Sequence, residues 1–357
     1  MTRHAAVLAL IDVAACNAIA GLDELDFQAA SATTTVSASS TSSSAGGSSS
    51  STSATAGGGG SGILPCEPGW AQRAPLTIDN TAAEALPPGY QVMAQFDAAR
   101  VFPDVSDPTS LRVVRVAGMD CETVPTFVER IGSEDYVWFA IPEGAAPNAQ
   151  VTDYWIYAGH ADPPPLDPAN VFLMWEPFDN PALTGWAPEG TPSVSGGILE
   201  VTASDAVRSL LAYPDGYAID TRMAIGALVT TGWIGTGWHR LDGAAEPWIL
   251  WISRGSTQTQ IWPDSEVSSA SVDYSGPGAV IAIDAFHIYS VERHRSNFVY
   301  RYDNGLHDQT TFTLLYTEPL YVRLNAHDTG IAKFDFARVR YSVSPAPTVS
   351  VGDAEDL

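Results

Sequence analysis

Five of the ten tryptophans fall between positions 233 and 262: Trp233, Trp238, Trp248, Trp251 and Trp262. Flat aromatic rings pack on the apolar faces of sugars while polar neighbours take the hydroxyls, the usual make-up of a small-ligand site. Trp233 and Trp238 lie in Gly-Trp-Ile-Gly-Thr-Gly-Trp-His-Arg, whose glycines suggest an irregular exposed segment, so His239 and Arg240 join them as candidate ligand contacts. In Trp248-Ile-Leu-Trp-Ile252, alternation puts Trp248 with Leu250 and Ile252, which reads as core, and turns Trp251 toward a ligand face. Trp262 completes the candidate set. The competing reading is that all five fill a β core, where large aromatics dominate packing.

Other chemistry is thinner. Gly-x-Ser-x-Gly, His-Glu-x-x-His and a P-loop are absent. His239, His287, His294, His307 and His327 show no metal-ligand spacing. Asp303 and Asn304 are hard oxygen donors that could hold a structural calcium, and no other cofactor is implied; turn formation explains the same two residues.

The elements that must position these residues read as strands. Tyr90–Phe96 alternates with period two, and shorter runs follow at Leu111–Val116, Tyr136–Ile141 and Tyr154–Tyr157. Beyond Pro163-Pro164-Pro165 a second series begins, including Ile198–Val201, Ala218–Ala224, Trp248–Ile252, His287–Arg293, Phe298–Tyr302 and Phe334–Tyr341. Asn304-Gly305 supplies a positive-φ pair for a hairpin turn. No stretch of helical length carries a 3.6-residue apolar period. The fold class is therefore all-β, two β-sandwiches over 66–168 and 169–345, with 346–357 as an acidic tail.

Charge narrows the partners. Lys+Arg number 17 against 41 Asp+Glu, a net −24, and Lys333 is the only lysine. Nucleic acid and anionic lipid surfaces both need clustered cations, so neither is an expected partner. No run of 18 apolar residues occurs, which leaves a lipid as the one expected membrane attachment.

Residues 1–16 begin Met-Thr-Arg-His, continue through the apolar Ala5–Ile11 and end Val13-Ala14-Ala15-Cys16. This resembles a bacterial lipoprotein signal with Cys16 as the lipidated residue, although Asp12 breaks the apolar run. Residues 17–65 form a tether, of which 31–62 is Ser, Thr, Ala and Gly apart from Val36, with a reach of about 30 Å. In an oxidising compartment the remaining Cys66 and Cys121 are expected to pair as a disulfide; two buried thiols are the alternative.

Two resemblances follow. Trp70–Asn80, Tyr90–Asp97, Val137–Pro142, Tyr154–Gly159 and Val171-Phe172 with Phe178-Asp179 resemble a bacterial domain family of unknown function. That family sits beside lectin-like sandwiches and in some channel proteins of the TolQ/ExbB type, and it implies no chemistry. Phe286–Arg293, Phe298–Gly305 and the last strand Lys333–Tyr341 resemble the concanavalin A-like lectin/glucanase jelly roll of LamG and laminarinase type. Laminarinases of that family carry their acids on one strand as Glu-x-Asp-x-x-Glu, serving chemistry that needs carboxylates about 5–5.5 Å apart. This sequence has no such motif: Glu176-Pro-Phe-Asp179 sits at the entry, and Asp220 with Arg222 on one face reads as a structural pair.

The resemblance and the missing motif together lead to an expected function without catalysis. The chain is expected to be a secreted lipoprotein of a bacterial cell envelope, on the outer membrane or outside it, presenting a lectin-like module to a glycan or an extracellular protein. A protein-binding envelope scaffold and a glycoside hydrolase of atypical site are the alternatives.

Overall fold

Tyr90, Val92, Ala94 and Phe96 are buried while Gln95 is exposed. That is the alternation of a strand with one face on a core, and it repeats along the chain. The computed structural model describes residues 66, 69–118, 120–202, 204–227, 233–241, 247–254, 260–266, 274–295, 297–311, 317–327 and 330–357. The leader 1–16 with Cys16, and the tether 17–65, lie outside the described residues.

The first strands are β1 (Gln72–Asp79), β2 (Tyr90–Phe96), β3 (Arg112–Ala117), β4 (Asp120–Val124), β5 (Thr126–Ile131), β6 (Glu134–Ile141) and β7 (Gln150–Ala158). There follow β8 (Met174–Glu176), β9 (Trp186–Glu189), β10 (Ser193–Ser195), β11 (Ile198–Thr202), β12 (Ala206–Tyr213), β13 (Tyr217–Ala227), β14 (Trp233–His239) and β15 (Trp248–Arg254). Then come β16 (Gln260–Glu266), β17 (Tyr274–Ser275), β18 (Ala279–Val280), β19 (His287–His294), β20 (Asn297–Tyr302), β21 (Gly305–Thr311), β22 (Leu320–Ala326) and β23 (Ile331–Tyr341). The chain closes with β24 (Thr348–Val351) and β25 (Glu355–Asp356). No described helix is long and apolar enough to cross a membrane.

In the first sandwich, a sheet of order β24-β1-β7-β3-β4 packs on the three-stranded β2-β6-β5 through Leu76, Ile78, Val92, Val113, Phe139 and Ile156. A disulfide joins Cys66 to Cys121 on β4, with Cα atoms 5.4 Å apart. Residues 346–357, expected as an acidic tail, instead supply β24 and β25, both antiparallel to β1. They cover backbone donors and acceptors that β1 would otherwise present as an open edge. Their acid finds a partner too: Glu355 pairs with the buried Arg73.

The second sandwich is jelly-roll-like. Its first sheet has the order β10-β11-β23-β13-β19-β20-β21 and its second the order β17-β16-β15-β14-β22-β12-β9. Leu199, Ile219, Trp238, Trp251, Phe298, Leu324 and Phe334 fill the space between them. On β23 the inward residues are Ala332, Phe334, then Ala337 and Val339. The change of parity is a bulge: Arg222 pairs with Phe336 and Met223 with Phe334, so Asp335 is the extra residue. Asp335, Phe336, Arg338 and Arg340 consequently share the outer side.

Both sandwiches belong to one compact unit, Gly62–Leu357. The outer side of the three-stranded sheet closes over the outer side of the first jelly-roll sheet. Trp138, Phe172, Trp175 and Phe336 form the apolar part of this junction, with Trp175 and Phe336 ring centroids 5.0 Å apart. Inside it lies a chain of charges. The fully buried Arg338 gives Nη1 and Nη2 to Glu129 on β5, at 3.1 and 2.9 Å, and Nε to Asp220 on β13 at 2.9 Å. Arg340 donates to Asp220 and Glu292, and Arg301 to Glu292. Burial pushes both carboxyls up, but Arg340 and Arg338 beside Asp220 overcome it, as do Arg340, His294 and Arg301 beside Glu292. Asp220 is held below its ordinary value and Glu292 well below.

Removing one partner of such a network strands a buried charge. Asp220→Asn is expected to cost about 3–5 kcal/mol in a denaturant melt. Because both carboxyls are depressed, their contribution is intact above the ordinary carboxylate range near ~4 and is lost as pH falls through the lowered values. Wild-type stability measured against pH should fall more steeply below that range than the stability of Asp220→Asn; parallel curves would show that the network carries no such linkage.

Candidate functional site

The outer side of the second jelly-roll sheet gathers the aromatic and polar residues that the sequence singles out. Core residues fix the parity: Ile234, Trp238, Ile249, Trp251, Ile261, Val322 and Leu324 point inward, so their sequence neighbours point out. Across adjacent strands the outward residues are Trp262, Asp264 and Glu266 on β16, Trp248 on β15, Trp233 and His239 on β14, and Tyr321 and Arg323 on β22. Asp264 Oδ1 accepts the Trp248 indole N–H at 2.9 Å, and the His239 and Trp248 rings stack at 6.3 Å. Trp233 stacks on His327 at 6.2 Å, while Arg323 grips Glu189 with two bonds of 3.0 and 2.7 Å.

Gly235 and Gly237 leave the middle of this face without side chains. A Cβ at Gly237, whose φ is +148°, would collide with the Ile249 carbonyl oxygen; one at Gly235 would stand 3.0 Å from the Trp233 ring. Both glycines are buried, and the Trp233 ring packs over Gly235, a close approach that a side chain there would forbid. Beside it, the nearly buried Asn325 has an Oδ1 without a hydrogen-bond partner, a group that normally finds one.

Asp264 and Glu266 were not among the residues expected from sequence. They sit two apart on one strand, so their Cα atoms stand about 6.8 Å apart on the same face. That suits paired carboxylates, which work at roughly 5–9.5 Å in glycoside chemistry. The signal is present in Pro263-Asp-Ser-Glu266, acids at alternate positions, but it lacks the third acid of the laminarinase motif.

The six expected ligand residues divide. Trp233 and Trp262 are half-buried on this face, His239 lies on it and is buried, and Arg240 follows β14 as an exposed residue. Trp238 and Trp251 are corrected: both are wholly buried between the sheets, donating to the Val291 and Ser290 carbonyls, each at 2.9 Å. The orientation expected for β15 is thus reversed, with Trp251 in the core and Trp248 outside. Gly232–Arg240 is likewise a central strand from Trp233 onward, where an irregular segment was expected.

A second concavity, of about 760 Å³, opens where the first jelly-roll sheet runs out from under the first sandwich. Asp335 pairs there with Arg222 at 2.5 Å, and His287 Nδ1 meets Asp303 Oδ2 at 2.8 Å. Asp303 Oδ1 accepts the Ile288 N–H, and Asn304 donates to Glu129. Of the two residues weighed for a structural calcium, Asp303 accepts one protein donor on each carboxylate oxygen and Asn304 donates to Glu129. Among the described residues, no three His, Cys, Asp or Glu converge as a metal site. The positive-φ turn residues are Asp303 and Asn304, at +48° and +64°, one position earlier than Asn304-Gly305.

No protein-family model and no curated protein matches this chain. Solved structures do resemble its carboxy-terminal half. An endo-acting O-glycanase of the human gut microbiota is 16% identical with TM-score 0.40, over 48% of this chain and 100% of that one. A β-glucanase of Bacillus licheniformis is 14% identical with TM-score 0.39, over 48% and 97%. An endo-β-1,3-glucanase of Pyrococcus furiosus is 10% identical with TM-score 0.39, over 48% and 95%. Against the expectation of a module without catalysis, these solved structures are named as glycan-cleaving enzymes; at such identities the likeness is one of fold. The resemblance drawn for the first sandwich finds no support in these comparisons. Which residues of this chain do chemistry is a question for its own geometry.

Burial separates the tryptophans by the effect of their removal. Trp238→Ala or Trp251→Ala should cost about 3–5 kcal/mol by emptying core volume, whereas Trp233→Ala and Trp262→Ala should each cost well under half of that. Thermal melts of the four variants check the division, and similar losses in all four would place Trp233 and Trp262 in a packed core as well.

Proposed function

We propose that the protein is a glycoside hydrolase of atypical site, acting on a glycan laid across the outer face of the second jelly-roll sheet. The carrying observation is Asp264 and Glu266 on one outward strand face, with the Trp262 ring on the same strand and the Trp248 ring on the next. Sugar rings would lie against Trp233, Trp248 and Trp262. Hydroxyls would meet the Arg323–Glu189 pair.

In this reading Glu266 gives its proton to the glycosidic oxygen as the bond from that oxygen to the anomeric carbon breaks. Asp264, held by the Trp248 indole, takes a proton from the water whose hydroxyl adds to that carbon. Proton exchange with solvent restores both acids. The low-dielectric wall of tryptophans strengthens these charges as positive charge develops on the ring.

The proposal includes an address. Cys16 would carry the lipid, and residues 17–65 would hold the folded body away from a bacterial envelope membrane. The Cys66–Cys121 disulfide supports an oxidising compartment. Mass spectrometry of the membrane fraction should find a lipidated Cys16, and an unprocessed Met1 terminus there would remove this part of the reading.

Release of reducing ends from laminarin, lichenan, xylan and mucin O-glycans tests the reaction. Turnover of at least one is expected, with Glu266→Gln and Asp264→Asn lowering kcat by roughly 10²–10⁴-fold and Trp233→Ala acting mainly on KM. If no polymer is cleaved, or if the two acid variants keep full kcat, the hydrolase reading fails.

A further inference from the structure

The junction cavity lies on the opposite sheet from Asp264 and Glu266, separated from them by the core of the sandwich. We infer that it is a second saccharide-binding site, selective for neutral oligosaccharides and built jointly by the two sandwiches. The inference does not rest on hydrolysis at the other face.

Three features carry it. First, the cavity volume of about 760 Å³ is that of a site for a small ligand, which typically takes ~300–1,000 Å³. Its walls come from both bodies: the β5–β6 turn with Arg130 and Gly132 on one side, and Arg222, Phe286, His287, Asp303 and Asp335 on the other.

Second, the backbone is bent to turn polar groups into this space. Asp335 and Phe336, consecutive residues, both face outward because of the β23 bulge, the kind of irregularity that re-aims a side chain beside a site. Asp179, also on the wall, follows Phe178, whose φ of +55° is a costly conformation for a bulky residue. The hairpin turn at Asp303 fixes the His287 ring through Nδ1, which leaves Nε2 as the ring nitrogen not spent on that bond.

Third, the chemistry of the wall is mixed in the way a sugar requires. Trp175 and Phe286 offer flat apolar surface. The Arg222–Asp335 pair keeps 46% and 31% of its side chains exposed, so a planar donor group and a planar acceptor group stand side by side, matching adjacent hydroxyls. Anionic sugars fit less well. Both wall arginines already hold carboxylates, Arg222 with Asp335 and Arg130 with Asp135, while Asp179 and Asp303 add negative charge.

The test uses the full chain carrying Glu266→Gln, so that no probe is cleaved, in calorimetric titrations with laminarihexaose, cellohexaose and hexagalacturonate. At least one neutral hexasaccharide should bind with an affinity that Arg222→Ala, and separately the shape-conserving Asp335→Asn, reduces about tenfold or more. Trp248→Ala on the other sheet should leave that binding within about twofold. Hexagalacturonate should bind at least tenfold more weakly. Binding lost in Trp248→Ala and untouched by both cavity variants would overturn the inference, as would tighter binding of hexagalacturonate or no binding of either neutral hexasaccharide. Loss of turnover in the wild type with cavity binding intact would sink the hydrolase reading alone.

Discussion

Arg338 has no solvent-exposed surface, and its two carboxylate partners come from different sandwiches. Taking a guanidinium out of water costs several kcal/mol, recovered only when its donors are met with good geometry. Glu129 meets two of them and Asp220 the third. The rings of Trp138 and Phe172 stand 4.6 and 4.7 Å from the guanidinium carbon. Neither sandwich can move away without stranding a charge against apolar walls. The junction is therefore a fixed joint, and its value lies in setting one relative position more than in net stabilisation.

That joint decides where other molecules can reach. It covers part of the outer side of the first jelly-roll sheet, and the cavity sits at the end beyond Glu129. The outer side of the second sheet is not part of the junction, and of its residues Trp233, Trp248 and Trp262 keep partial exposure. Glu129 serves both halves of this arrangement. It also accepts from Asn304, in the turn whose Asp303 orients His287, so the first sandwich braces one wall of the cavity through the residue that locks it in place.

Period-two alternation makes the strands legible from residue order alone, and it correctly groups Trp248 with Leu250 and Ile252. It does not say which group faces inward. Hydrophobicity does not choose between the sides because Leu250 and Ile252 are also buried, on the outer side, while Trp251 has an indole N–H that finds the Ser290 carbonyl inside. The bulge at Asp335 hides for a related reason, since Phe334 and Phe336 look like one face until Ala337 and Val339 show that the phase has slipped. The role of residues 346–357 is also out of reach, because a strand's partner some 270 positions away leaves no local mark; Thr77 pairs with Ser350.

The reversal on β15 has a chemical consequence. With Trp248 outside, its indole N–H reaches across to β16 and holds Asp264 Oδ1; were Trp248 in the core, as its neighbours suggest, the buried Asp264 would lose that donor. The reversed strand and the unexpected acid are thus one arrangement, in which an outward tryptophan orients the carboxylate beside it. In the proposed reading Trp248 orients Asp264 from the next strand with an uncharged donor, which adds no like charge beside Glu266 to oppose ionisation.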